Sequence, residues 1–412
     1  MLTTRAVVLA KLQTAIGTQA VPAAATDAFL VNDPDYVVDP KFIERKFARN
    51  DISPLPGRVG RKLAMCTFSV EARGNEVQQS GLIGDVCRLA RLFQACGYTA
   101  TAIAAAAAAV SNVIKDSANA AADPVATWAT GGVIAAGHTR PVLYTITITG
   151  ATNAAQVTDN AGGAPANITL TTAVAVALGA STCTITPTFA GTFAIGSKFR
   201  VLVVPKGVKL APLTDNTQVL TIEMYFDGLK HVAVDAMGTF KLNAQAGDIA
   251  MIDFEFTGNF VAVVDAALPN PVFEETIPPQ VELARLTWGS NASLVVDAFS
   301  FDQSNTVAPR QDVNSADGYK GVRIPSRNPN GGFSPESTTE ATEAFWADFT
   351  ASRQKSFVAT IGTVAGNSLC LFGPRVQTKA IKYSDKDGTR AYDQSLNYTR
   401  GTGDDDTFIY LI

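Results

Sequence analysis

Asp253 and Glu255 lie two positions apart in the run Ile252-Asp-Phe-Glu-Phe256, where acid alternates with hydrophobe. Side chains along a strand alternate between faces, so both carboxylates fall on one side and Ile252, Phe254 and Phe256 on the other. With Glu223, Asp227 and Asp248 they form an acidic set that could do two kinds of work. Two carboxylates converging in a cleft can hydrolyse a glycosidic bond, but that needs aromatic sugar platforms and a pairing that no spacing here supplies. Carboxylates spread over an open face can instead make a wall that repels phosphate. Glu223 and Asp227 alternate in the same sense with Ile222, Met224 and Phe226.

The other residues capable of chemistry are few. His138 and His231 are the only histidines, and neither has a partner at metal-ligand spacing. No GxSxG, GxxxxGK[ST] or HExxH pattern occurs. Asp385-Lys-Asp-Gly388 resembles the opening of a calcium loop, but the glutamate that should follow is missing, and Asp387-Gly388 suits a hairpin turn better. Asp404, Asp405 and Asp406 read as a solvated turn or, more sharply, as a contact between subunits. Cys66, Cys87, Cys96, Cys183 and Cys370 lack CxxC spacing and read as buried thiols. The expectation is a chain with no catalytic, cofactor or metal residues.

The elements that must carry the acids are mostly strands. The chain has 412 residues, 32 Gly and 20 Pro, values that suit a turn-rich β protein of two or three domains. A net charge of −4 argues against general nucleic-acid binding. Met1–Gln19 lacks the apolar core of a signal peptide, and the longest apolar tract, Ala102–Val110, is too short for a bilayer, so a soluble chain without membrane insertion is expected.

Residues 1–60 look extended and irregular, with helical composition only over Thr4–Ile16. Residues 41–62 are rich in Lys and Arg and read either as a docking arm or as a solvated loop. Leu63–Arg73 reads as a strand with Ala64, Cys66, Phe68, Val70 and Ala72 on one face. In GDVCRLARLFQACG, Asp85 opens a helix, Val86, Leu89, Ala90 and Phe93 form its apolar stripe, and Gly97 ends it. The Ala-rich stretch Thr99–Ala122 reads as a helical continuation or, preferably, a linker. Between about 123 and 213 charge nearly vanishes and short strands recur, which suggests a small inserted β-sandwich. Further strands follow, interrupted by a second helix with a Ser337-x-x-Glu340 capping box and Ala341, Ala344, Phe345 and Phe349 inward. Strand, helix, strands thus occurs twice.

In their order, RKFARNDISPLPGRVGRKLAMCTFSVEARG, GDVCRLARLFQACGYT, IEMYFDGLKHVAVDAMGTFKLNAQAGDIAMIDFEFTG, VVDAFSFDQSNTVAPRQDVNSADGY and IGTVAGNSLCLFGPRVQTKAIKYSDKDG resemble a major tail tube protein of long-tailed bacteriophages. The resemblance covers roughly residues 40–100 and 215–412. It implies a β-sandwich with one flanking helix, whose copies close into rings that stack into a hollow tube. The implied partners are further copies, the tape-measure protein in the lumen, and the tail terminator and distal tail proteins. The resemblance further implies that double-stranded DNA passes through without specific binding and that the protein belongs to the virion tail.

The expected fold is therefore mainly β. Two tail-tube-type domains occupy 1–122 with 214–280 (arm 1–60) and 281–412, and an Ig-like sandwich occupies 123–213. Two domains per chain imply a ring of three chains, with six as the alternative. Glu223, Asp227, Asp253 and Glu255 are the candidate lumen acids, and Arg45, Lys46, Arg49 and Arg58 the candidate inter-ring contact arm. The rival readings are a surface adhesin or capsid-decorating protein with Ig-like modules, and a β-sandwich hydrolase.

Overall fold

A computed structural model describes residues 5–74, 87–103, 109–119, 121, 123–131, 139–178, 183–315 and 318–412. It is mainly β, with about 55% strand and 5% helix. Most strands belong to one 16-stranded antiparallel sheet. The strands of this sheet other than the two-residue Ala28–Phe29, which pairs with Val8 and Leu9, are numbered together with one attached hairpin as β1 to β17 in chain order.

The first stretch contributes β1 (Ala6–Leu12), β2 (Asn32–Ile43), β3 (Arg58–Glu71), the helix α1 (Arg88–Ala95) and β4 (Tyr98–Ile103). It resumes with β5 (Gly207–Pro212), β6 (Leu220–Phe226), β7 (Leu229–Gln245) and β8 (Met251–Asp265). The second stretch begins with β9 (Arg285–Trp288), β10 (Val296–Asp302), the hairpin β11 (Asn305–Gln311) with β12 (Tyr319–Arg327), and β13 (Asn330–Pro335). It ends with α2 (Phe345–Thr350), β14 (Gln354–Val364), β15 (Asn367–Lys386), β16 (Thr389–Tyr398) and β17 (Phe408–Leu411).

The pairing order repeats. Neighbours in the first stretch run β1-β6-β7-β8-β3-β2. Those in the second run β9-β14-β15-β16-β13-β10. Both orders place the helix between corresponding strands, after β3 and after β13. The two sets join where β7 pairs with β10, from Lys241 opposite Asp302 to Gln245 opposite Ala298. Eight strands thereby form one continuous surface in the order β2-β3-β8-β7-β10-β13-β16-β15.

One face of this surface is apolar because each strand alternates. In β3, Ala64, Cys66, Phe68 and Val70 are buried, and in β8 so are Ile252, Phe254 and Phe256. α1 lies over them with Leu89, Ala90, Leu92 and Phe93 inward. The Phe93 ring stands edge-on to Phe240 and Phe254, with centroids 4.8 and 5.5 Å apart. Phe301 continues the core into the second stretch, 5.8 Å from Phe240 and 5.0 Å from Tyr398. One hydrophobic core therefore serves both stretches.

A smaller unit interrupts the hairpin formed by β4 and β5, which pair from Tyr98 opposite Pro212 to Ile103 opposite Gly207. It is a sandwich of a six-stranded and a three-stranded sheet around its own core of Tyr144, Ile146, Ile185, Phe199 and Val201. Short strands Ala109–Val110 and Ile114–Lys115 pair with Lys198–Val204 inside it, so it begins before residue 123. β5 belongs to the large sheet, so it ends before 213. A second apolar cluster, including Leu143, Leu202, Val358, Phe372 and Tyr410, joins it to the large sheet.

Several local expectations change. The helical composition of Thr4–Ile16 yields strand β1, because residues 6–12 pair throughout with β6 and Val7–Ala10 are buried. Thr99–Ala122 is no simple linker but contains β4 and two short strands. Ser337 does not cap α2, which is only six residues long. The Glu340 carboxylate instead accepts hydrogen bonds from the Trp346 and Ala347 N–H groups, while Ala341 is exposed. Asp85, Val86 and His138 lie outside the described residues.

Candidate assembly surface

The polar face of the eight-stranded surface can be read from register, because residues opposite one another in an antiparallel pair share a face. On β8 it carries Asp253, Glu255, Thr257 and Asn259. Opposite them stand Ser69, Thr67, Met65 and Leu63 of β3, and Lys241 and Thr239 of β7 are paired with the two acids. The face continues through Asp302 and Ser300 on β10 to Asn330 and Gly332 on β13. It passes Asn397, Ser395 and Asp393 on β16 and ends at Ala380 and Lys382 on β15. On the opposite flank β2 adds Asp35, Val37 and Asp39. Its carboxylates include Asp35, Asp39, Glu71, Asp253, Glu255, Asp302 and Asp393, with Lys241, Lys382 and Lys386 among them, so acids outnumber bases over these residues.

Two of these acids are held. Asp253 accepts hydrogen bonds from Ser69 Oγ at 2.5 Å and Asn243 Nδ2 at 3.0 Å. Asp302 pairs across strands with Lys241 at 3.2 Å. Glu255 is exposed between the small side chains of Thr67 and Thr239.

The structure separates the four acids singled out in the sequence. Asp253 and Glu255 share the polar face, as their alternation requires. Glu223 does not present a carboxylate to open space. Strand β6 is covered on both sides, by β1 and β7 at its edges and by packing on each face, and Glu223 is 2% exposed. Its carboxylate pairs with Lys230 Nζ at 2.7 Å and accepts from Tyr225 Oη at 2.8 Å. Burial alone would lower the Lys230 pKa, but the hydrogen bond and charge of Glu223 outweigh it and hold the ammonium above its ordinary value. Asp227 sits in the β6–β7 turn with φ 32°, before Gly228 at φ 108°, and meets Arg5 at 3.1 Å. It is a turn residue.

Between β2 and β3, residues 44–57 form an exposed loop. Arg45 lies over the Phe47 ring, Lys46 pairs with Glu44 at 2.9 Å, and Arg49 with Asp51 at 3.1 Å. Arg58 opens β3 and is exposed. Apolar side chains accompany them: Phe42, Phe47, Ile52 and Val59 are each more than half exposed.

The remaining candidates are absorbed into the fold. Asp387 and Gly388, at φ 49° and 84°, form the β15–β16 hairpin turn, and the Gly388 N–H donates to Asp385. Asp404 and Asp406 both take the Arg327 guanidinium, at 2.7 and 2.9 Å. Asp405 accepts from the N–H groups of residues 401, 402 and 403. The acidic run is therefore an internal knot. His231 packs between Tyr36 and Phe226, and burial pushes its pKa down. All five cysteines are buried, and burial pushes the Cys370 thiol up to about 12. Among the described residues no cluster of His, Cys, Asp or Glu could hold a metal, and no helix is long and apolar enough to cross a membrane.

Asp35, Asp39, Asp302 and Asp393 were not singled out in the sequence. Their membership of the face depends on register between strands far apart in the chain, which no local pattern carries. No protein-family model matches this chain, and no curated protein matches it.

Proposed function

We propose that this chain is a structural subunit of a bacteriophage tail tube, whose copies close into rings and stack around a negatively lined channel. On this reading the two stretches are two tail-tube-type domains and the inserted sandwich is an Ig-like decoration on the outer wall. The observation that carries the proposal is the eight-stranded surface, with a face on which acids outnumber bases and, among the described residues, a free strand edge at each end. A channel of this kind repels phosphate, so that DNA slides without sticking, and a protein that bound phosphate would retard it. Asp253 and Glu255 are the lumen acids this reading keeps, joined by Asp35, Asp39 and Asp393. Glu223 and Asp227 drop out. The loop carrying Arg45, Lys46 and Arg49 is the contact between rings.

Negative-stain electron microscopy of the purified protein tests the proposal. Rings or tubes with a central hole are expected. A protein that stays monomeric at high concentration would refute it.

A further inference from the structure

Two edges of the eight-stranded surface have no partner among the described residues: the outer edge of β2, and residues 378–386 of β15 on the side away from β16. In the repeated pairing order, β2 corresponds to β10 and β15 to β7. Those counterparts are the two strands that pair with each other inside the chain. We infer that β15 of one copy pairs antiparallel with β2 of a second copy, so that the junction between subunits reproduces the junction within the chain. This inference rests on the assembly reading above and names the surfaces that carry it.

Three features agree. The internal junction is five residue pairs long. On β2, Pro34 and Pro40 cannot donate to a partner, which leaves residues 35–39 as a pairable run of matching length. The internal junction carries a cross-strand Lys241–Asp302 pair. The free edges carry the same chemistry, with Lys379 and Lys382 on β15 and Asp35 and Asp39 on β2.

The third feature is the attached hairpin. β11 and β12 lie against the end of α1 and against β7. Asn305 Nδ2 donates to the carbonyls of Cys96 and Gly238 at 2.6 and 2.9 Å, and Val322 and Ile324 pack on Val219 and Met237. The matching place at the end of α2 is an open cleft of about 750 Å³ lined by Phe349, Ser352, Gln377, Thr378 and Ala380. The matching hairpin is the outer part of β2 and β3, where Phe42, Ile43 and Val59 are exposed. A second copy would place that hairpin in that cleft. Such an association is head-to-tail, so the two contact surfaces differ and the arrangement can continue to closure.

Cysteine cross-linking tests this. Same-face residues meet across an antiparallel pair, so Val37→Cys and Lys382→Cys should react. The five native thiols are buried and give a low background. A mixture of the two single variants should give covalent dimers under oxidation, and the double variant longer covalent species. Neither single variant should cross-link alone. Moving one thiol to the other face, in Val37→Cys with Tyr383→Cys, should reduce the yield at least tenfold. Lys382→Glu should block assembly, and adding Asp35→Lys and Asp39→Lys should restore it. Rings that form without the Val37–Lys382 cross-link would overturn this junction while leaving the assembly reading intact. Cross-linking by Val37→Cys alone would show a two-fold contact and also overturn it. A chain that never assembles would remove both readings.

Discussion

Replacing Glu223 by Ala separates a buried acid from an acid that lines a channel. In the structure its carboxylate is 2% exposed and holds both the Lys230 ammonium and the Tyr225 hydroxyl. Removing one partner of a buried pair typically costs about 3–5 kcal/mol. The Lys230 side chain is 22% exposed and can turn partly to water, which places this case at the lower end, about 3 kcal/mol. That corresponds to roughly a hundredfold in the folding equilibrium. Glu255→Ala, on the open face, should stay within about 0.5 kcal/mol of the parent.

The assay is urea unfolding of both variants, with circular dichroism for the strand signal and intrinsic tryptophan fluorescence, to which Trp288, buried in the shared core, contributes. The pH dependence adds a second readout. The folded Lys230 pKa is raised, so its contribution is complete below the unfolded lysine value near ~10.4 and is lost as pH rises through the folded value. Glu223→Ala should lack that alkaline loss. A Glu223→Ala protein as stable as the parent, or a Glu255→Ala protein equally damaged, would refute the burial argument.

Phe93→Ala should cost about 3–5 kcal/mol in the same assay, because its ring contacts Phe240 and Phe254 and is 1% exposed. Gly388→Ala, at φ 84° with open space around it, should cost about 1 kcal/mol of backbone strain without a clash. Burial depresses the His231 pKa, so the neutral ring is preferred in the fold. Stability should be complete above the ordinary histidine value near ~6.5 and fall as pH drops below it, and His231→Asn should flatten that limb in a denaturation series from pH 8 to 5. Replacing residues 44–57 with a short turn should leave the melting temperature unchanged while abolishing tubes by electron microscopy, since the loop is exposed throughout most of its length.

Alternation was legible wherever a strand has one wet face. Residues 64–72 and 252–256 read correctly because their neighbours are a core on one side and open space on the other. The same rule failed at Glu223, since β6 is covered on both faces and an acid there survives only through Lys230 and Tyr225. Thr4–Ile16 has helical composition, yet residues 6–12 gain a full set of sheet hydrogen bonds to β6, and tertiary pairing overrides propensity. The basic segment 41–62, which reads as a docking arm or a solvated loop, is strand through Ile43 and again from Arg58, because the hairpin extends beyond the core. The Asp387-Gly388 turn was legible from two residues, as its positive φ angles demand. The repeated strand order was visible only as strand, helix, strands, since pairing partners such as β3 and β8 lie almost two hundred residues apart.

The inserted sandwich enters from Ile103 and returns at Gly207, and these two residues face each other across an antiparallel pair. Entry and exit are therefore about 5 Å apart, the distance between neighbouring strands. Any compact module whose own ends lie close together can occupy this position without displacing a single pairing in the large sheet. The hairpin between β4 and β5 is thus an insertion point, and a reporter enzyme or antigen grafted between residues 103 and 207 would be carried by the large sheet with its strand pairing intact.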